Sequence, residues 1–380
     1  MRERRVEVLT ALLGTPAERA SWWRAPGRVN LIGDHTDYCD GYVLPMAIDR
    51  DCLVAAAPGP PGGAVRVTAV SADCEGAVDV RADGRGDSAA VEPPWGRFVA
   101  GTLAALAALG ARVPATRLAV ASTVPVGSGL SSSSALAVAL MLALADRSGF
   151  VLDRRALARA ALDAEVRATG VPGGLMDQLA ALFGRAGHAL LIDCRSLAIR
   201  PVALPRTLAV VVVHSGLPRT LAGSAYAERR AACEAAAARL GIVALRDATP
   251  DQVRDDPRAR HVVSENARVL EFAAALRAGD VNALGPLLLA SHRSLRDDFE
   301  VSTPELDLLV EVLVDAGALG ARLTGAGFGG CVVALVQRNH ADDLVAKAVT
   351  RYRAASGLEP MAFTARAVGA AGRVDLAGLS

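Results

Sequence analysis

Apolar and polar residues follow one another along this chain in blocks that predict a mixture of strands and helices. Apolar runs at residues 29–32 and 42–44 predict two strands, with a dense polar segment between them. Residues 118–122 predict a third strand, which leads into a Gly/Ser loop and then a long Ala- and Leu-rich helix. A glycine cluster within residues 323–336 runs into a strand of β-branched residues.

The chain has 380 residues, too many for one ordinary core, so we expect two domains, at residues 1–195 and 196–380. The longest apolar run, residues 135–145, is far shorter than the roughly 18 residues that cross a bilayer, which predicts no membrane span. The N-terminal stretch MRERRVEVLT is charged and lacks the apolar core of a signal peptide. We therefore expect a cytoplasmic protein.

Composition narrows the choice of ligand. Forty-one basic and forty acidic residues give a net charge of +1 without a basic tract, so we expect a small-molecule ligand and no nucleic acid. Six cysteines are scattered without CxxC pairs, which indicates reduced thiols rather than disulfides or a zinc site. Lys347 is the single lysine, and it lies in neither a Walker loop nor a protein-kinase motif, both of which need a lysine. The same lack of lysines excludes Schiff-base chemistry.

The first polar segment is APGRVNLIGDHTDYCDGYVLPMAI. Within ten residues it carries Arg28, Asp34, His35 and Asp37, whose side chains offer donors and acceptors for several hydroxyl groups. A polyol site and a solvated hairpin tip both fit this spacing. A site built on buried polar partners would reject analogues that lack a hydroxyl.

The second segment, VPVGSGLSSSSALAVALMLALADRSG, places a Gly/Ser loop between a strand and a helix. Gly127 and Gly129 allow close approach of the backbone, and the free N–H groups at the helix start favour a phosphate. The hydroxyls of residues 131–134 can add hydrogen bonds or ligate a hard cation. The alternative is a flexible connection with a serine N-cap.

Three further features are weaker when taken alone. The glycines of LTGAGFGGCVVALV fit a tight hairpin turn as well as they fit a phosphate contact. In VPGGLMDQLAALFG, Asp177 stands in the first turn of an amphipathic helix, where a carboxylate also satisfies free N–H groups. Glu165 lies twelve residues earlier, where it fits a solvated helix face.

Together these segments resemble the galactokinase family of the GHMP kinase superfamily. GRVNLIGDHTDYCDGYVLPMAI looks like the galactokinase signature, PVGSGLSSSSA like the superfamily ATP loop, and LTGAGFGGC like its third motif. VPGGLMDQ, SGLPRTLAGSAYAERRAACEAA, HVVSENARVLEFAAALRAGD and SHRSLRDDFEVSTPELD also resemble galactokinase segments in family order. The likeness extends from about residue 24 to at least residue 335.

The resemblance implies an α+β fold of two lobes, an N-terminal ribosomal-protein-S5-domain-2-like lobe and a C-terminal ferredoxin-like lobe. It implies transfer of the γ-phosphoryl group of ATP, with Mg2+, to the C1 hydroxyl of α-D-galactose. The products would be galactose 1-phosphate and ADP, in the first step of galactose utilisation by the Leloir pathway. We expect a monomer that acts on small molecules.

The resemblance also assigns residues by matching motif positions. Asp177 matches the catalytic base and Arg28 the arginine that stabilises the transition state. Ser133 and Glu165 match the magnesium ligands. The sugar positions are Asp34, His35, Thr36, Asp37, Gly174 and Tyr226. The nucleotide positions are Gly127, Ser128, Gly129, Leu130, Ser131, Ser132, Ser133 and, beside the adenine, Trp95.

One position departs from the family pattern. The family has Gly-Glu-His at the sugar loop, whereas this chain has Gly33-Asp34-His35, and the loss of a methylene retracts the carboxylate by about 1.5 Å. Either the change is neutral, or it alters the choice of sugar towards a galactosamine derivative or arabinose. A second class, the galactokinase-like sugar sensors, is damaged in the serine loop, whereas this loop is intact.

Overall fold

The computed structural model describes residues 2–62, 64–217 and 222–376. Its helices are α1 Arg2–Leu13, α2 Gly96–Ala108, α3 Ser132–Ser148, α4 Arg154–Thr169, α5 Met176–Phe183, α6 Ala222–Leu240, α7 Pro257–Ala278, α8 Val281–Asp297, α9 Pro304–Asp315 and α10 Ala341–Ser356. Its strands are β1 Ser21–Asn30, β2 Tyr42–Val43, β3 Pro45–Pro58, β4 Arg66–Ser71, β5 Val78–Arg81, β6 Thr116–Ser122, β7 His188–Asp193, β8 Ala198–Ala203, β9 Leu208–His214, β10 Gly320–Thr324, β11 Cys331–Gln337, β12 Met361–Ala365 and β13 Gly372–Arg373.

The first sheet has the strand order β13-β1-β3-β6-β4-β5 and is antiparallel except for the β4–β6 pair. Helix α3 packs on β1 and β3, and its apolar residues from Ala135 to Leu144 are almost all fully buried. A helix buried on nearly every side is apolar all round, which explains the Ala- and Leu-rich run. Helix α1 covers the opposite face, where Leu9, Leu13 and Trp22 form a smaller core.

Local signals explain where the neighbouring helices begin and end. Asp153 accepts hydrogen bonds from the backbone N–H groups of Arg155 and Ala156, so it is the N-cap of α4. Gly149 and Gly170 end α3 and α4 in left-handed conformations with φ of 66° and 72°. Helix α4 therefore returns beside α3 and carries Glu165 towards the start of that helix.

The second sheet is antiparallel, with the order β10-β11-β9-β12. Along the chain, β9 is followed by helices, then by the β10–β11 hairpin, then by α10 and β12. This order of strands and helices is the ferredoxin-like arrangement, and it confirms the α+β class that the resemblance implies. The sheet buries one face of alternating valines against α9 and α10, as in Val211 and Val213.

A small third sheet, β2-β7-β8, lies between these two units. The expected domain boundary, at residues 195 and 196, falls in the turn between β7 and β8, which pair as an antiparallel hairpin. After β12 the chain returns to the first sheet, where Arg373 of β13 pairs with Trp23 of β1. Within the described residues, no helix has both the length and the apolar character needed to cross a membrane.

A buried ion pair joins the first unit to the second. The Arg322 guanidinium on β10 is fully buried, and its Nη2 donates to Asp34 Oδ2 at 2.5 Å. Its Nη1 also donates to the carbonyl oxygens of Asn30 and Leu31, at the end of β1. One side chain of the second sheet therefore holds both the backbone and a carboxylate of the polar segment.

We predict that Arg322→Met destabilises the protein by about 3–5 kcal/mol, because it leaves the Asp34 carboxylate buried without its charged partner. The matched control is Arg366→Met, since Arg366 is 78% exposed and pairs with Asp49 at 2.9 Å, a contact that contributes about 1 kcal/mol or less. Urea denaturation of both variants measures the difference. Equal stability of the two variants would contradict the prediction.

Candidate active site

A cavity of about 790 Å³ opens between the two units. Its walls combine the polar segment after β1, the Gly/Ser loop before α3, the start of α5 and the glycine cluster after β10. All four of these segments were singled out from the sequence as candidate binding segments. The cavity is the structural reason that they belong to one site.

The Gly/Ser loop turns sharply before α3. Gly127, Gly129 and Ser131 have positive φ angles of 70°, 82° and 63°, which glycine adopts readily and serine rarely. Ser131 is the N-cap residue of α3 by position, but its side chain caps no N–H group of the helix. The first N–H groups of α3 therefore remain available for an anion at the cavity wall.

Arg28 and Asp177 form a bidentate ion pair in the cavity wall. Arg28 Nε donates to Asp177 Oδ1 at 2.7 Å, and Nη2 donates to Oδ2 at 2.8 Å. Arg28 Nη1 also donates to the carbonyl oxygen of Gly129 at 2.5 Å. The guanidinium therefore fixes the carboxylate at the start of α5 relative to the loop before α3.

The two oxygens of Asp177 have different surroundings. Oδ2 also accepts a hydrogen bond from Ser131 Oγ at 2.6 Å and a long one from Ser134 Oγ at 3.5 Å. Among the described residues, Arg28 Nε is the one hydrogen-bond donor to Oδ1. Because a carboxylate oxygen has two lone pairs, Oδ1 can accept one further proton donor.

Glu165 lies beside this pair, on α4, and is not a solvated helix-face charge. Its Oε2 accepts hydrogen bonds from Ser134 Oγ at 2.8 Å and from Gln178 Nε2 at 2.7 Å. Burial raises the pKa of Glu165, and a hydrogen bond from Ser133 opposes that rise. This set of carboxylate and hydroxyl oxygens suits a hard divalent cation.

Asp34 and His35 are held by the second unit. Besides Arg322, the N–H of Gly325 donates to Asp34 Oδ1 at 3.1 Å. Burial raises the pKa of Asp34, although the nearby arginines oppose that rise. The carbonyl of Ala326 accepts from His35 Nε2 at 3.1 Å, so Nδ1 is unprotonated and accepts from the Tyr38 hydroxyl at 2.8 Å.

His35 is therefore a neutral residue whose two ring nitrogens are both used within the protein. Burial lowers the pKa of His35 to about 3, in agreement with that state. Its ring lies 4.7 Å from that of Phe299 and 5.6 Å from that of Tyr226, measured between centroids. We infer that His35 shapes the cavity wall through packing.

Asp37, Gly174 and Tyr226 line the cavity together. Burial and the neighbouring Asp177 carboxylate raise the pKa of Asp37 to about 6. Gly174 passes so close to Asp37 that a Cβ atom built on it would lie 1.9 Å from Asp37 Oδ2. Only glycine at this position leaves the carboxylate where it is.

Of the remaining predicted residues, Ser132, Ser133 and Trp95 line the cavity, whereas Thr36, Ser128 and Leu130 do not. Trp95 lines an apolar part of the cavity with Pro93, Pro94 and Phe98, and its indole N–H donates to the carbonyl of Glu75 at 3.3 Å. Thr36, Ser128 and Leu130 are buried, and their side chains do not line the cavity. Thr36 Oγ1, for example, is within hydrogen-bond distance of the carbonyls of Gly33 and Tyr42.

Three residues of the site were missed at the level of sequence. Arg322 could have been noticed as a charged residue inside an apolar strand, GARLT. Gln178 follows Asp177 directly, but nothing in the helical pattern separates it from a core residue. Glu265 on α7 accepts from the N–H of Gly33 at 2.9 Å across 232 residues of chain, a contact that carries no local signal.

Comparisons with known proteins agree with this geometry. Three family models match the chain, namely the galactokinase galactose-binding signature at residues 11–58, the GHMP kinases N terminal domain at 97–185 and the GHMP kinases C terminal at 272–354. A galactokinase of Roseiflexus sp. is 46% identical over 366 residues, which cover 92% of each chain.

Two solved structures extend the comparison. Lactococcus lactis galactokinase complexed with galactose has a TM-score of 0.90 at 30% identity, covering 98% of this chain and 99% of that one. Methanococcus jannaschii mevalonate kinase has a TM-score of 0.68 at 16% identity, covering 92% and 98% of the two chains, a likeness of fold alone.

The matches to both GHMP kinase domains and the two-lobed α+β fold identify the chain as a GHMP small-molecule kinase. Its phosphoryl donor is therefore ATP. On the identity and coverage of its relatives, the chain belongs to the galactokinase family. It is an ATP-dependent sugar kinase.

We predict that Gly174→Ala lowers kcat/KM for the sugar about tenfold or more, because the new methyl group must displace the Asp37 carboxylate. The effect should fall on KM for the sugar and spare KM for ATP. Gly173→Ala is the matched control, since its Cβ would meet only Leu162 Cδ1 at 3.4 Å, an ordinary contact. Steady-state kinetics with each substrate varied measures both constants, and an equal effect of the two variants would refute the assignment.

Proposed function

We propose that this protein transfers the γ-phosphoryl group of ATP to the C1 hydroxyl of α-D-galactose, with Asp177 as the base. The observation that carries the proposal is the Arg28–Asp177 pair, which lies between an anion-binding helix start and a polar wall. The galactose named with the Lactococcus lactis structure supports the choice of sugar. A kinase must hold its two substrates in reacting geometry, and this pair lies between the two proposed binding regions.

For the nucleotide, we propose that residues 127–133 bind the triphosphate and that Trp95 lies beside the adenine. The free N–H groups at the start of α3 and the positive end of its dipole support the first assignment. The apolar surroundings of Trp95, with Phe98 and two prolines, support the second. Ser128 and Leu130 would contribute backbone groups, since their side chains face inward.

For the metal, we propose Ser133 and Glu165 as ligands of Mg2+. Among the described residues, no three His, Cys, Asp or Glu side chains converge on one point, so a cation here would draw its other ligands from phosphate and water. Mg2+ is typically bound in this way, by one or two carboxylates together with substrate phosphates. When bound, it would neutralise charge on the transferring phosphoryl group.

For the sugar, we propose that Asp37, Gly174 and Tyr226 face galactose directly. The Asp37 carboxylate and the Tyr226 hydroxyl border the cavity close to Asp177, where hydroxyl groups need acceptors and donors. Asp34 and His35 would act from the wall, because their polar atoms are already hydrogen-bonded within the protein. Those of Asp34 bond to Arg322 and Gly325, and those of His35 bond to Tyr38 and Ala326. Thr36 would support the loop that carries them.

The reaction then needs few protein groups. As the C1 oxygen bonds to the γ-phosphorus, its proton passes to Asp177 Oδ1, the oxygen with a free lone pair. The bond from the γ-phosphorus to the bridging oxygen breaks, and ADP leaves with that electron pair. Arg28, already beside the carboxylate, would stabilise the charge that develops on the transferring oxygens.

Broader organisation is part of the same proposal. The division at residues 195 and 196 falls in the β7–β8 turn, so the two lobes would share a hairpin at their boundary. We propose that the protein acts as a monomer, because one chain supplies every residue of the proposed site. Dependence on ATP supports a cytoplasmic location.

A coupled ADP-release assay with ATP, Mg2+ and a panel of sugars tests the reaction. The panel contains galactose, glucose, galactosamine, N-acetylgalactosamine and arabinose, and phosphorus NMR identifies the product. We expect the fastest turnover on galactose, with phosphate at C1. A preference for another sugar would make Asp34 the residue that sets specificity, and no turnover on any sugar would favour a galactose sensor.

We predict that Asp177→Asn abolishes turnover and leaves galactose binding largely intact. The amide keeps the size of the carboxylate but cannot take the proton of the C1 hydroxyl. Calorimetry gives the galactose affinity, and the ADP-release assay gives kcat. Near-normal turnover would rule out Asp177 as the base. The control is Asp153→Asn, which alters an N-cap carboxylate on α4 outside the cavity lining.

A further inference from the structure

Gln178 has an unusual combination of burial and incomplete hydrogen bonding. Its side chain is 1% exposed, yet it lines the cavity beside Asp177. Its Nε2 donates to Glu165 Oε2 at 2.7 Å, whereas its Oε1 has no hydrogen-bond partner among the described residues. Of the buried, unpaired side-chain atoms in the described part of the chain, this oxygen is the one whose residue lines the cavity.

A buried amide oxygen without a hydrogen-bond partner lowers stability unless a ligand supplies that partner. A buried acceptor without a partner costs about 1–3 kcal/mol, so a site that retains one is poised for a donor or a cation. Turning the amide over would not help, because its oxygen would then face the Glu165 carboxylate. The contact with Glu165 therefore keeps Oε1 directed away from that residue.

The missing partner is electropositive or a proton donor. A phosphate would be repelled, because both it and Oε1 are acceptors. A hydrated divalent cation fits, since its bound waters are strong donors and amide oxygens ligate hard cations directly. The same amide holds Glu165, the carboxylate assigned to that cation, which favours the cation over a sugar hydroxyl.

We propose that Gln178 is a positioning residue of the cation site, whose Nε2 orients Glu165 and whose Oε1 receives the divalent cation or one of its waters. The inference rests on the proposed function, which assigns the cation to Ser133 and Glu165. It adds a third element, α5, to a site otherwise built from α3 and α4. A cation bound there would contact the helix that also carries Asp177.

The test uses Mn2+ as the probe, bound to the full-length protein with a non-hydrolysable ATP analogue and followed by electron paramagnetic resonance. Gln178→Met keeps the length of the side chain and removes both hydrogen-bonding groups. We expect it to weaken Mn2+ binding about 10- to 100-fold, as for other residues that orient metal ligands. Galactose affinity without metal, measured by calorimetry, should be unchanged, which also demonstrates that the variant is folded.

Two further variants make the result specific. Gln178→Glu keeps an acceptor at this position and should bind Mn2+ more tightly than Gln178→Met; equal weakening in both would overturn the role of Oε1. Gln252→Met is the matched control, because that glutamine is exposed and its side chain hydrogen-bonds only to Thr249 among the described residues. It should leave Mn2+ affinity unchanged.

The remaining outcomes separate this inference from the proposed function. If the unmodified protein binds Mn2+ with nucleotide and Gln178→Met binds it equally well, only the role of Gln178 is wrong. If Gln178→Met instead weakens galactose binding, Oε1 serves the sugar and the cation assignment of Gln178 fails. If the unmodified protein binds no Mn2+ with nucleotide, the proposed metal site fails and the inference fails with it.

Discussion

The buried pair of Asp34 and Arg322 is the contact on which the cavity depends. Its members lie 288 residues apart in the chain, on the two lobes, and both are shielded from water. The cost of removing two charges from water offsets much of their attraction, so the pair adds little net stability. Its main effect is to fix the position of one lobe relative to the other. Arg322 also donates to two carbonyls at the end of β1, so the same guanidinium fixes the position of the polar segment relative to the glycine cluster.

Charge within the cavity is balanced in different ways. Among the described residues, six carboxylates line it, those of Asp34, Asp37, Asp73, Glu75, Glu165 and Asp177, together with the guanidinium of Arg28. Arg322 lies behind the wall, where it pairs with Asp34. Asp34 and Asp177 are each paired with an arginine, whereas Asp37 and Glu165 form no ion pair among the described residues. Burial raises the pKa values of Asp34, Asp37 and Glu165, because it opposes their charge. Proton uptake or a bound cation relieves that excess. The proposed cation therefore has an electrostatic reason to bind beside Glu165.

The sequence predicted best what is local. The strand, glycine turn and helix at residues 116–148 follow from one continuous pattern, and the polar segment after β1 was recognised from its density of charged groups. Spacing alone could not decide whether Asp177 and Glu165 were solvated, because burial depends on what packs around them. The role of Arg322 depends on a partner from the other lobe, so no window of neighbouring residues reveals it. Periodicity indicated only a mixture of strands and helices, and the two-lobed α+β architecture followed from the family resemblance.

The return of β13 to the first sheet has a consequence for how the protein is made. Strand β1 ends at Asn30, and its outer neighbour is not synthesised until Gly372 and Arg373. At usual rates of translation, about 5–20 residues per second, this edge of β1 would remain without β13 for roughly 20–70 s. During that interval the ribosome holds a nascent chain whose first sheet exposes an unpaired strand, the kind of edge that invites association with other chains. A molecular chaperone that shields this edge would protect the nascent chain until β13 is synthesised.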